Sequence, residues 1–234
     1  LFVARQFESA LALLLLVIGV GGAIGGAIGG LALSYAADYR NHWVQDGKKA
    51  LSLAQEMAQT GAQIDPDIAE VHWVLGYVAA QHRQHEKALT HLQRALKADH
   101  SYADAYALMG GINTYIGRPE LGISQLRNAM RLNQNGGYLY YLLLGRAYFF
   151  TQRFEQAVIN LRESLARNPT NLETHIYLLA AAASLDDTDT ADWEGEEIRM
   201  IEPGFSVKVW LDTYPMTDKA QLEVLSGVLA GTGT

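Results

Sequence analysis

The sequence predicts an all-α solenoid of antiparallel helix pairs preceded by a transmembrane helix. Two observations carry this: residue types that recur with a period near 34, and an uncharged run from Ala10 to Ala37. Repeat starts at Ala69, Ala103, Tyr138 and Leu172 are spaced by 34, 35 and 34, the extra residue falling within 133–137. Position eight then holds Gly76, Gly110, Gly145 and Leu179, and position twenty holds Ala88, Gly122, Ala157 and Ala191. Position twenty-four holds Leu92, Leu126, Leu161 and Gly195, while Pro169 and Pro203 fall at position thirty-two. A fixed period in this range marks stacked supersecondary units.

Small residues at positions eight and twenty let the two helices of a pair approach, and the larger residue at twenty-four fills the gap. The closing proline lacks a backbone donor and so ends one pair before the next begins. Three repeats fit this scheme; the fourth, 172–204, is degenerate because Gly195 replaces the leucine. Ala54, Ala58 and Pro66 continue the phase upstream, so 38–68 reads as an opening half-repeat with its B helix over 48–64. Downstream, 205–234 reads as a closing segment: Thr217 or Asp218 caps a short helix that carries Leu222, Leu225 and Val228. Solenoids need such ends to cover an apolar face.

Residues 1–37 are different material. About twenty apolar residues cross a bilayer as a helix, so the run 10–37 is long enough with some tilt. Gly21, Gly25 and Gly29 recur every fourth residue, as do Gly22, Gly26 and Gly30. That spacing predicts a flat face against which a second transmembrane helix packs. Two other readings share the segment: a secretory signal ending near Ala37, and a buried hairpin with the glycines at its turn. Arg40, Lys48 and Lys49 follow the run while Arg5 alone precedes it, which favours a cytoplasmic over a periplasmic location for the repeats.

The pattern resembles the tetratricopeptide repeat. In that class the A helices line a concave groove, and the resemblance implies that positions two, five, nine and twelve face it. The groove would then present Glu70, Trp73 and Tyr77, then Asp104, then Leu139, Leu142, Arg146 and Phe149, then Glu173 and Ile176. An apolar stripe of this kind fits a peptide or helix of a protein partner. Packing of Trp73, Leu142 and Phe149 between repeats is the competing reading. The segment 128–150, with Glu202-Pro203-Gly204-Phe205, Tyr214-Pro215-Met216 and the closing helix, further resembles the repeat regions of bacterial adenylate cyclases and CadC-like transmembrane regulators; Gln134 stands where those relatives often have proline. That resemblance implies a single-pass protein of the bacterial inner membrane.

Chemistry is sparse. A net charge of -7 disfavours nucleic acid, and with no cysteine neither disulfides nor thiolate chemistry is available. Gly47-Lys48-Lys49 lacks the rest of a phosphate-binding loop. His82 and His85, with His91 beyond, could be imagined as metal ligands, but the first two fall in the turn between helices, and the aspartates from Asp186 to Asp192 lack the glycine and glutamate of a calcium loop. No catalytic residue, metal or cofactor is expected. The sequence thus predicts a noncatalytic membrane-anchored adaptor, an accessory subunit of a membrane complex, or alternatively the regulatory portion of a signalling protein whose effector lies elsewhere.

Overall fold

The computed structural model describes residues 23–40 and 43–232. These residues form helices and no strand, and they fall into two compact units, 1–100 and 101–234. In unit 1, α1 (23–40) and α2 (Gly47–Ile64) precede the pair α3 (Ala69–Gln81) and α4 (His85–Ala98). In unit 2 the pairs are α5 (Ala103–Tyr115) with α6 (Pro119–Leu132), α7 (Tyr138–Phe150) with α8 (Phe154–Arg167), and α9 (Leu172–Ala183) with α10 (Thr188–Ile201). Two shorter helices, α11 (Val207–Thr213) and α12 (Lys219–Ala230), complete it.

The A helices α3, α5, α7 and α9 end the same way. Arg83, Gly117, Gln152 and Asp186, all at position fifteen, take positive φ. The next N–H reaches back to the carbonyl five residues earlier: Gln84 to Ala79, Arg118 to Asn113, Arg153 to Tyr148 and Asp187 to Ala182, at 2.8–3.0 Å. This left-handed closure satisfies the last carbonyls of the A helix and turns the chain into the B helix.

The small-residue positions do the packing expected of them. A Cβ on Gly76 would lie 2.9 Å from Leu92 Cγ, and one on Gly110 or Gly145 would lie 2.6 Å from Leu126 Cγ or Leu161 Cγ. The fourth pair inverts the arrangement. Leu179 supplies the bulk at position eight and points at Gly195, where an added Cβ would meet the Leu179 methyl at 3.6 Å, an ordinary contact. Knob and hole have changed helices, so the pair stays packed although two positions depart from the pattern. We expect Gly145→Leu alone to cost about 1–3 kcal/mol by overpacking and Leu161→Gly alone to cost about 3 kcal/mol or more by leaving a void. The double variant restores the inverted arrangement, and its cost falls short of the sum by about 1 kcal/mol or more. Urea unfolding of the four chains measures this; strict additivity contradicts it.

The N-terminal segment departs from expectation. Residues 10–22, with Gly21 and Gly22, lie outside the described residues. Among the described residues no helix is long and apolar enough to cross a membrane. Gly25 and Gly29, expected to meet a partner helix, instead face their own chain: Cβ atoms there would lie 2.7 Å from Ile68 Cδ1 and 3.3 Å from Val71 Cγ2. The same property that suits glycine to membrane helix packing, close backbone approach, is used within unit 1. Ala32 and Ala36 continue this buried stripe, and Tyr39 meets Tyr77 edge-on. Gly26 and Gly30 point away into open space, beside the exposed Ile24 and Leu31.

Candidate functional site

The A-helix residues expected to line an open groove are mostly interior. Trp73 and Tyr77 are buried in unit 1, their rings stacked at 5.5 Å and nearly parallel. In unit 2, Leu142, Phe149 and Ile176 belong to the main core, and the Phe149 ring packs against Phe150, Phe154 and Tyr177. An A helix in a stack is wrapped by its B helix and by the next pair, so even positions on its inner side are covered. Glu70 and Asp104 are exposed, and Asp104 accepts a hydrogen bond from the Tyr140 hydroxyl at 2.6 Å. Leu139 and Glu173 are half-buried.

Arg146 is the largest departure. Expected as a groove charge, it is 0% exposed and sits at the centre of a polar cluster. Its Nη1 donates to the Tyr115 hydroxyl at 2.8 Å, to Glu173 Oε1 at 2.9 Å and to the Tyr214 hydroxyl at 3.0 Å. Nη2 donates to the Gly111 carbonyl at 3.2 Å, and the guanidinium lies 4.1 Å over the Tyr115 ring. Burial opposes the charge, but Tyr115, Tyr214, Glu173 and Tyr177 outweigh it and raise the pKa, so the group stays cationic. The tyrosines also shift upward: burial pushes the hydroxyls of Tyr115, Tyr177 and Tyr214 above their ordinary range and keeps them protonated.

Tyr214 comes from the C-terminal segment, which folds onto the inner side of the A helices. Its hydroxyl donates to Glu173 and accepts from Tyr177 at 3.1 Å. Its ring is capped by Trp210 at 4.3 Å and meets Tyr115 edge-on at 5.4 Å. Pro215 and Met216 are buried behind it, and the backbone N–H groups of Thr217 and Asp218 both donate to the Tyr115 carbonyl, at 3.0 and 3.1 Å. Asp218 then caps α12 by accepting from Gln221. Sequence reasoning took this segment for an end cap; the visible signal of more was an aromatic-proline-apolar triplet outside any repeat.

A second cluster closes the fourth pair. His175 Nδ1 lies 2.5 Å from Glu194 Oε2, and Nε2 lies 2.9 Å from the Pro169 carbonyl. With an acceptor at each nitrogen, the imidazolium form satisfies both contacts. Burial opposes that charge, yet the bonds to Glu194 and Pro169 and the charges of Glu194 and Glu197 raise the pKa overall. The equivalent His72 of the first repeat donates Nε2–H to the Pro66 carbonyl at 2.7 Å and stacks on His91. Burial, then His72, Arg94 and Lys87, lower His91 to about 4.

The two histidines give opposite pH dependences. His175, with its pKa raised by folding, adds stability that is present below pH about 6.5 and is lost as pH rises through its folded pKa. His91, with its pKa lowered, withdraws stability as pH falls from about 6.5 toward 4. We expect His91→Gln to reduce the acid sensitivity of α3–α4 and His175→Gln to remove alkaline sensitivity from α9–α10. Hydrogen exchange corrected for intrinsic rates, at the two pH extremes, checks both signs.

No trio of residues that could hold a metal occurs among the described residues. A cleft of about 410 Å³ beside α10 is lined by Arg162, Leu165, Leu178, Thr190 and Trp193, and its Glu194 is already committed to His175.

The helix pairs, their left-handed closures and the covered inner face describe a known architecture. Residues 138–171 match the model of the tetratricopeptide repeat. The fold is a tetratricopeptide solenoid. No curated protein matches the chain. Among solved structures, the tetratricopeptide fold aligns with MamA from Desulfovibrio magneticus RS-1 at TM-score 0.54 and 19% identity, covering 72% of this chain and 96% of that one. PilW, described as a type IV pilus biogenesis factor, aligns at 0.62 and 16%, covering 90% and 89%. PilF of Pseudomonas aeruginosa aligns at 0.59 and 16%, covering 88% and 90%.

Proposed function

We propose that this chain is a noncatalytic adaptor that holds another protein on its helix pairs and is tethered to a membrane by the apolar run 10–37, as an accessory subunit of a larger complex. The observation that carries the reading is the inner face of unit 2, which already holds an extended segment by three buried residues, Tyr214, Pro215 and Met216, and two backbone donors. That is the mode by which a scaffold captures a peptide. The tether is supported by the outer face of α1, where Ile24 and Leu31 are 48% and 44% exposed in continuation of the uncharged run. The positive charges at Arg40, Lys48 and Lys49 favour the cytoplasmic side for the helix pairs.

Purification of the native full chain in mild detergent, followed by mass spectrometry and an alkaline carbonate wash of the membranes, tests the reading. A stoichiometric protein partner and retention in the washed membranes are expected. Absence of any partner, or turnover of a substrate by the purified chain, overturns the adaptor; release by carbonate overturns the tether.

A further inference from the structure

The C-terminal segment is held unevenly. No residue of α11 is buried, and in α12 only Leu225 and Leu229 are. Between these helices, whose Val207, Trp210, Leu211, Leu222 and Val228 pack only partly buried against the core, Tyr214, Pro215 and Met216 are buried in succession. Tyr214 has extended backbone, φ −66° and ψ 133°, as a bound peptide would. The pocket reads its hydroxyl in both senses: Glu173 accepts its O–H, while Arg146 and Tyr177 donate to the oxygen. Phenylalanine would take from the Tyr177 hydroxyl its acceptor and from Glu173 and Arg146 one partner each, and a phosphate on the oxygen could not donate to Glu173 and would set negative charge against it.

An independent mark of this docking lies in the turns. Of the four left-handed turn residues, Arg83, Gln152 and Asp186 carry side chains, and only position 117 is glycine. A Cβ on Gly117 would come within 2.3 Å of Asp218 Oδ2 and 2.9 Å of its Cγ. Glycine therefore stands in the one turn on which the returning segment rests.

The geometry points to a tyrosine-reading groove: the inner face of unit 2 takes an extended protein segment presenting an unmodified tyrosine, and the chain's own Tyr214-Pro215-Met216 keeps that groove closed until such a segment competes. This rests on the adaptor reading and names the chemistry of its partner. Covalent attachment gives the resident segment an effective concentration on the order of millimolar. A free peptide of moderate affinity is therefore excluded from the unaltered chain.

The test uses the full chain and a fluorescein-labelled peptide of residues 209–219. Fluorescence polarisation should show saturable binding to Tyr214→Ala, and binding roughly tenfold or more weaker to the unaltered chain. The same peptide with phenylalanine or phosphotyrosine at the central position should bind Tyr214→Ala about tenfold or more weakly. If Tyr214→Ala keeps its helical circular dichroism and takes no peptide, or takes the phenylalanine or phosphotyrosine peptide equally well, the proposal is overturned. Should that variant lose its fold, hydrogen exchange on the unaltered chain decides. Amides of 207–230 should open before those of α7 and α9, and excess peptide should speed their exchange; equal protection unmoved by peptide refutes the proposal. Rejection of the peptide by a folded Tyr214→Ala chain, together with a stoichiometric partner purified on the unaltered chain, refutes the tyrosine groove and leaves the adaptor standing.

Discussion

Arg146→Met is expected to destabilise unit 2 by about 3 kcal/mol, although methionine is an apolar side chain entering a fully buried position. The substitution removes the cation that Glu173 and the hydroxyls of Tyr115 and Tyr214 are arranged around, and it leaves them facing one another. Removing one partner of a buried pair strands the other, and that cost exceeds the net worth of the pair. Glu173 is 27% exposed at its side chain, so water relieves part of the penalty, and the estimate belongs at the low end of the range. Arg146→Lys keeps the charge but not the fork that reaches two hydroxyls and a carboxylate from one nitrogen and the Gly111 carbonyl from another, and it should recover less than half of the loss. Urea unfolding followed by tyrosine and tryptophan fluorescence measures both. A loss below about 1 kcal/mol for Arg146→Met would show that the cluster is ornamental to stability.

Phe149→Glu should have the larger effect, abolishing the folded state of unit 2. The ring is 1% exposed and touches three other aromatic rings. Truncating such a ring costs about 3–5 kcal/mol through lost burial and the void left behind. A carboxylate in its place adds the cost of an unpaired buried polar group. The total rivals the whole stability of an ordinary domain. Leu142→Glu, also at 1% exposure, should behave alike. Circular dichroism should show loss of helix for both. Retained helix with loss of partner capture would instead return these side chains to the open groove that their repeat positions suggested.

The repeat was legible because packing between two helices constrains residue size at fixed intervals, and size can be read directly from residue type. The helices α3, α5, α7 and α9 begin at the residues where the period restarts. The fourth pair looked degenerate because Leu179 and Gly195 were judged one at a time. Their compensation is a property of the pair, visible only once the two are known to touch. Repeat position nine puts Arg146 in the groove, whereas its burial depends on partners 27 to 68 residues away in the chain, which no local pattern reveals. Gly25 and Gly29 show a different ambiguity. A four-residue glycine spacing states that something comes close, and nothing in it says whether the neighbour is another chain in lipid or Ile68 and Val71 of the same chain.

The exchange of bulk between Leu179 and Gly195 also limits how such a protein can be recombined. Joining α7 to α10 would set Gly145 opposite Gly195 and leave an empty slot, while joining α9 to α8 would press Leu179 against Leu161. The heritable module in this chain is the hairpin, cut at Pro169 or Pro203, and single helices are not interchangeable parts. Chimeras spliced inside a hairpin should misfold where those spliced between hairpins survive.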